Sequence, residues 1–206
     1  HHKGFRMSDT QATTTGLATA ALFLFVSFSQ PLPKLAPHRP PPSALAPSVL
    51  LSVLGQFAMH LYTTIHGFHL AVEASASEPV PEADADFEPT LTNTVLFLLS
   101  TAMLLSTFAV NYTGRPYMAS LASNKGLAFT LAAGAALVLL LTTGALPALE
   151  EYLELVPLPT HANSSSGDAS GDGDGAGLGS DLLSLMALDF VVCFVTEKGT
   201  ARLFRY

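Results

Sequence analysis

Long apolar runs alternate with short polar or charged ones along this chain. Four runs approach or exceed the roughly 18–20 apolar residues that let a helix cross a hydrocarbon core of about 30 Å. They are Gln11–Ser29, Ser48–Val72, Asn93–Tyr112 and Leu127–Leu146. A fifth run, "LLSLMALDFVVCFV" from Leu182, is shorter and continues into a basic amphipathic tail, "TEKGTARLFRY". Alone it reads as a buried helix of a soluble protein; after four stronger neighbours it reads as a fifth span. In lipid only helices or closed barrels satisfy every backbone polar group, and these runs are too long and too evenly apolar for barrel strands. The predicted fold is therefore all-α, a polytopic helical membrane bundle of about five transmembrane helices. Residues 1–160 carry the first four spans, 161–180 form a low-complexity linker, and 181–206 carry the fifth span and the tail. Lys3 and Arg6 before the first run raise the question of a signal peptide. The run is longer than such a core, and no small-residue cleavage site follows Phe28, so a span is expected.

Composition agrees with a membrane protein: 49% of residues are hydrophobic and 12% charged, against about 25% charged in soluble domains. The single cysteine, Cys193, excludes an intrachain disulfide framework and a multi-cysteine zinc site. The net charge of −7 argues against nucleic acid, which needs clustered cations.

The distribution of charge sets a topology. Lys34 and Arg39 follow the first span, Arg115 and Lys125 follow the third, and Lys198, Arg202 and Arg205 lie in the tail. If all five runs span, these cations share one side, which the positive-inside rule makes cytoplasmic. The segments 73–92 and 147–180 carry six carboxylates each and no cation, and fall on the other side. The N-terminus is thus expected in the lumen and the C-terminus in the cytosol. Of two glycosylation acceptors, Asn111 then faces the cytosol and Asn163 the lumen, so Asn163 is the candidate for modification.

Few residues suggest chemistry. "SSSGDASGDGDGAGLGS" (164–180) has no preceding strand, no phosphate-loop lysine, and glycine where a calcium loop needs its last glutamate; it reads as a flexible linker. His66 and His69 share one helix face, and His60 points elsewhere. These histidines are too few for a metal site, and none is expected. Asp189 lies mid-span in "MALDFVV"; such a carboxylate holds helices together or serves transport. Gln11, Thr13, Thr14 and Thr15 make the start of the first span polar, either lining a cavity or sitting at the interface. No nucleophile–base set, carboxylate pair or nucleotide site can be placed.

The wording of the segments carries more. "GFRMSDTQATTTGL" with "FLFVSFSQPLPKLAPHRPPPS", then "LSVLGQFAMHL", "FEPTLTNTVLFLLSTAMLLSTFAVNYTGRPYMASLASNK" and "LMALDF", in this order, resemble the C-terminal transmembrane region of the fifth-class P-type ATPases. The closest subgroup is the endoplasmic-reticulum transmembrane-helix dislocases. The resemblance covers roughly residues 4–160 and 181–204. It implies that the five spans are the sixth to tenth of a ten-helix membrane domain. It implies that the full-length protein uses ATP and Mg2+ to extract misinserted transmembrane helices, and that the first span helps line the client cavity. Gln11, Ala12 and Thr13 match the family pattern at the mouth of that helix. Gln56, His60 and Asp189 also match, and are read as scaffold.

The departures are as informative. The Asp-Lys-Thr-Gly-Thr phosphorylation motif, the Thr-Gly-Glu actuator motif and a nucleotide-binding domain are absent from the chain. The resemblance thus implies a membrane-domain fragment, inactive by itself and without a cofactor of its own. Its expected partners are the lipid bilayer, the missing N-terminal membrane and cytosolic domains, and client helices. Two other readings stay open: a small cation or proton transporter using Asp189 and His60, and a non-enzymatic membrane scaffold.

Overall fold

The computed structural model describes residues 6–34, 43–75, 87–159 and 177–204. It is all-α: α1 (Asp9–Ser27), α2 (Pro47–Ala74), α3 (Leu91–Asn111), a 3-10 turn (Leu121–Ser123), α4 (Lys125–Thr142), α5 (Pro147–Tyr152) and α6 (Leu178–Leu203). Each of the five apolar runs becomes a helix. By length and composition α2, α3, α4 and α6 can cross a membrane. α1 is not among those four, because its first half, "DTQATTTG", is polar. The proposed linker and the Asn163 acceptor lie largely outside the described residues.

Local chemistry sets the helix ends. Ser8 opens α1 with a capping box: its hydroxyl accepts from the Gln11 amide at 3.2 Å, and Gln11 Oε1 accepts from the Ser8 amide at 3.3 Å. Thr90 caps α3 in the same way, accepting from the Asn93 amide at 3.1 Å. Asn124 caps α4 through the Leu127 amide at 3.1 Å, and its Nδ2 donates to the Phe25 carbonyl at 2.6 Å. One side chain therefore starts α4 and ties it to the end of α1. Gly144 closes α4 at φ 70°, a left-handed conformation that favours glycine. At the same end of the bundle as Asn124, Ala119 N donates to Gln30 O at 2.8 Å, fastening the connection after α1 to the one after α3.

Paired positions give the topology. Gln56 meets Asn111, and Gly67 meets Leu99, so α2 and α3 are antiparallel. His60 meets Asp189, and Gly55 meets Thr196, so α2 and α6 are antiparallel. Gln11 meets Asn93, and Phe23 meets Phe108, so α1 and α3 run parallel. α3 sits in the middle: half of its apolar window is buried, against 22–33% for α2, α4 and α6. One apolar cluster joins α2, α3, α6 and the α5 segment around Val95, Leu98, Leu99 and Leu182. A second joins α1, α3 and α4 around Leu22, Leu105 and Leu127. Of the described cations, Lys34, Arg115, Lys125, Lys198 and Arg202 flank one end of this bundle and Arg6 the other, where Glu73, Glu88, Glu150, Glu151, Glu154 and Asp181 also lie.

Small residues let the helices approach. A Cβ added at Gly67 would collide with Leu99 of α3, and one at Gly134 would lie 2.8 Å from a methyl of Leu105. Around Gly134 the alanines of "AAGAA" are exposed, so in that stretch only the glycine serves packing between helices. Leu99 is fully buried, so making room for a side chain at Gly67 means shifting it within the core. Gly67→Val is therefore expected to destabilise the bundle by about 1–3 kcal/mol through overpacking. Gly199→Ala, which meets nothing within 4 Å, is expected to be neutral or stabilising by up to about 1 kcal/mol. Thermal unfolding of the two variants in detergent checks the contrast.

Candidate functional site

α2 is built inside out. Its buried stripe is polar or small: Ser48, Ser52, Gln56, Thr63, Gly67 and Ala71, with His60 half-buried among them. Its exposed face carries Leu50, Leu54, Phe57, Leu61 and Ile65. The fourfold spacing puts the polar groups on one face, turned towards α3 and α6. Polar side chains in a spanning helix turn inward because lipid offers them no partners.

The partners form a continuous ladder. At the cation-flanked end, the Ser52 hydroxyl donates to Glu197 of α6. Gln56 Nε2 donates to Ser52 Oγ at 2.9 Å and to Asn111 Oδ1 at 3.0 Å. Asn111 Nδ2 returns a bond to Gln56 Oε1 at 2.9 Å and another to the Thr107 carbonyl at 3.0 Å. Thr107 Oγ1 lies 3.3 Å from His60 Nε2. His60 Nδ1 pairs with Asp189 Oδ1 at 2.8 Å, and the Thr63 hydroxyl donates to the same oxygen at 3.0 Å. Cys193 Sγ stands 4.0 Å from His60 Nδ1. Asp189 is 2% exposed and His60 22%, near the midpoints of their helices. The ligand atoms of His60, Asp189 and Cys193 all lie within 4.8 Å of one another.

Of the residues singled out in the sequence, Gln56, His60 and Asp189 thus belong to one ladder. Gln11, Ala12 and Thr13 do not share one surface. Gln11 is fully buried; its Nε2 donates to Asn93 Oδ1 at 2.9 Å and to the Leu153 carbonyl at 3.0 Å. Asn93 in turn donates to the Arg6 carbonyl at 2.6 Å. Gln11 is a strut between α1, α3 and the turn after α5. Ala12 and Thr13 are exposed, and open a stripe that continues through Leu17, Ala20 and Leu24 along α1. Cys193 and Glu197 were not among the sequence candidates. Both follow Asp189 at steps of four, a spacing that already places them on its face.

The reciprocal Gln56–Asn111 amide pair gives a direct measure of the ladder. Hydrogen bonds between membrane helices couple by about 0.6 kcal/mol on average and by up to about 1.7 kcal/mol. With two bonds made at once, a double-mutant cycle of Gln56→Leu and Asn111→Leu in detergent is expected to give a coupling of about 1–2 kcal/mol. A cycle that closes to zero would show the pair to be energetically idle.

No family model matches the chain. Curated proteins do. Over 95% of its length the chain is 36% identical to a probable manganese-transporting ATPase of Arabidopsis thaliana. It is 35% identical over 75% of its length to the endoplasmic reticulum transmembrane helix translocase of Saccharomyces cerevisiae. Over its whole length it is 31% identical to the translocase of the same name from Schizosaccharomyces pombe. The chain spans only 13–16% of the length of these relatives. Its all-α bundle of apolar helices is what a membrane region of such proteins requires. The chain belongs to the fifth-class P-type ATPase family of the endoplasmic reticulum transmembrane helix translocases.

Proposed function

We propose that this chain is the C-terminal membrane part of an ATP-driven translocase that removes misinserted helices from the endoplasmic reticulum membrane, with α1 facing the client. The observation that carries the reading is the α1 stripe. Ala12, Thr13, Leu17, Ala20 and Leu24 are exposed, although α1 is held from behind by α3 and α4. The stripe grades from small and polar to large and apolar. That gradient suits a passing helix with a polar flank and an apolar core. Gln11, Asn93 and Asn124 hold α1 at both ends, so the stripe sits on a braced element.

ATP and Mg2+ belong to the full-length protein, because the chain has no phosphorylation motif and no nucleotide-binding domain. On this reading the chain is inactive by itself. The cation-flanked end of the bundle faces the cytosol and the acid-flanked end the lumen. Cation or proton transport is the second reading. It is favoured by the His60–Asp189 pair in the middle of the bundle and by the manganese-transport name of the Arabidopsis relative.

A photo-crosslinking residue at Leu17, Ala20 or Leu24 of the full-length protein is expected to capture a transmembrane-helix client during ATP turnover. The same probe at the buried Leu22 is expected to capture none. Equal yields at all four positions would remove α1 from the client path. Orientation has its own readout. Expression in microsomes is expected to add one glycan that Asn163→Gln abolishes and Asn111→Gln leaves in place; the opposite result inverts the topology.

A further inference from the structure

The midpoint cluster of α2 and α6 carries an inference that does not rest on the translocase reading. The geometry points to a binding site for one borderline d-block dication, Zn2+ being the best fit, with His60 Nδ1, Asp189 carboxylate and Cys193 Sγ as ligands. The donors come from two helices and lie within 4.8 Å of one another. Asp189 and Cys193 are four residues apart on α6 and face His60 together. One nitrogen, one oxygen and one sulfur suit zinc; an oxygen-seeking ion such as Mn2+ has little use for the thiolate.

The distances are near those needed. Zinc takes nitrogen and oxygen ligands at about 2.0–2.2 Å and sulfur at about 2.3 Å, so tetrahedral neighbours stand about 3.3–3.6 Å apart. Here His60 Nδ1 is 2.8 Å from Asp189 Oδ1 and 4.0 Å from Cys193 Sγ. The first separation must open and the second close, each by about half an ångström, which side-chain rotation supplies. The outer contacts are in place as well. Metal-ligating histidines donate their other ring N–H to a fixed partner, and carboxylate ligands are themselves hydrogen-bonded. Thr107 is within reach of His60 Nε2, and Thr63 donates to Asp189.

Proton bookkeeping favours a dication. The one hydroxyl proton of Thr107 goes to the Met103 carbonyl at 2.8 Å. Towards His60, Thr107 therefore accepts, and Nε2 carries a hydrogen. The hydroxyl proton of Thr63 goes to Asp189. The contact between Nδ1 and Oδ1 then needs a further proton of its own, and with it the pair has no net charge. Metal binding displaces that shared proton and the Cys193 thiol proton. Two protons leave, one dication enters, and the cluster stays neutral. An exchange that leaves the net charge unchanged suits a low-dielectric interior, where an uncompensated charge is costly. A trivalent cation leaves a net charge behind, and a monovalent one stays neutral only if the Cys193 thiol keeps its proton, so only a dication uses all three donors without a net charge.

The test uses the full-length protein in detergent, stripped with a chelator and given Zn2+, Mn2+ or Co2+ alone. About one Zn2+ per chain is expected to survive desalting, with Mn2+ lost. The Co2+ form is expected to show thiolate-to-metal charge-transfer absorption. Cys193→Ser is expected to abolish that absorption and weaken Zn2+ binding at least ~10-fold, and Asp189→Asn to weaken it comparably. If Cys193→Ser fails to fold, His60→Gln, which keeps the thiol, is expected to weaken Zn2+ binding and alter the Co2+ spectrum, and a spectrum unchanged by it would overturn the site. Absence of the absorption, retention of Mn2+ in preference to Zn2+, or undiminished Zn2+ binding by Cys193→Ser would each overturn the site.

Discussion

A carboxylate held at the middle of a membrane bundle constrains everything near it. Asp189 is almost wholly buried, and isolated charge in such a place is very costly. It is tolerated because His60 and Thr63 of α2 converge on one of its oxygens. For both to reach it, α2 must turn a polar face inward along most of its length. That demand explains why the bulky apolar residues of α2 point outward, and why the interface with α6 and α3 is built of serine, glutamine, threonine and glycine. Gly67 and Gly55 bring the helices close enough for short side chains to meet across them.

A second polar centre does a different task at the other end of the bundle. Gln11, Asn93 and the Leu153 carbonyl tie α1 and α3 to the turn after α5. Asn124 does the equivalent for α1 and α4 at the opposite end. α1 is thus gripped near both ends, while one of its faces stays uncovered. The two polar systems divide the bundle into a tightly bonded α2–α3–α6 unit and an α1–α4 flank resting on α3.

Much of this was legible in the sequence. The five apolar runs predicted five helices, and all five are present. The first run counts among the strong spans by its sequence, yet α1 is not among the four helices apolar enough to cross a membrane and the shorter fifth run is, because the polar residues of "DTQATTTG" fall inside the helix. The i, i+4 pattern of Ser48, Ser52, Gln56 and His60 was there to be read as an inward polar stripe. Its partners were not, because they come from helices 55 to 145 residues away. Gln11 shows the limit most clearly. A polar residue at the start of a span suggests a cavity mouth, but whether a neighbour satisfies it depends on Asn93, 82 residues further on. Cys193 was set aside because a single cysteine makes neither a disulfide nor a cysteine cluster; proximity to His60 is a property of the folded chain.

The inside-out character of α2 also bears on how the protein is made. α2 enters the membrane before either helix that satisfies its polar stripe. Asn111 follows its partner Gln56 by 55 residues, and Asp189 follows His60 by 129. At elongation rates of about 5–20 residues per second, the longer gap lasts on the order of ten seconds. For that interval Gln56 and one ring nitrogen of His60 can be matched by α3, while Ser52, Thr63 and His60 Nδ1 wait for α6. A nascent α2 with a half-matched histidine resembles a badly inserted helix, so the order of synthesis gives this protein a spell of dependence on whatever shelters such helices at the ribosome.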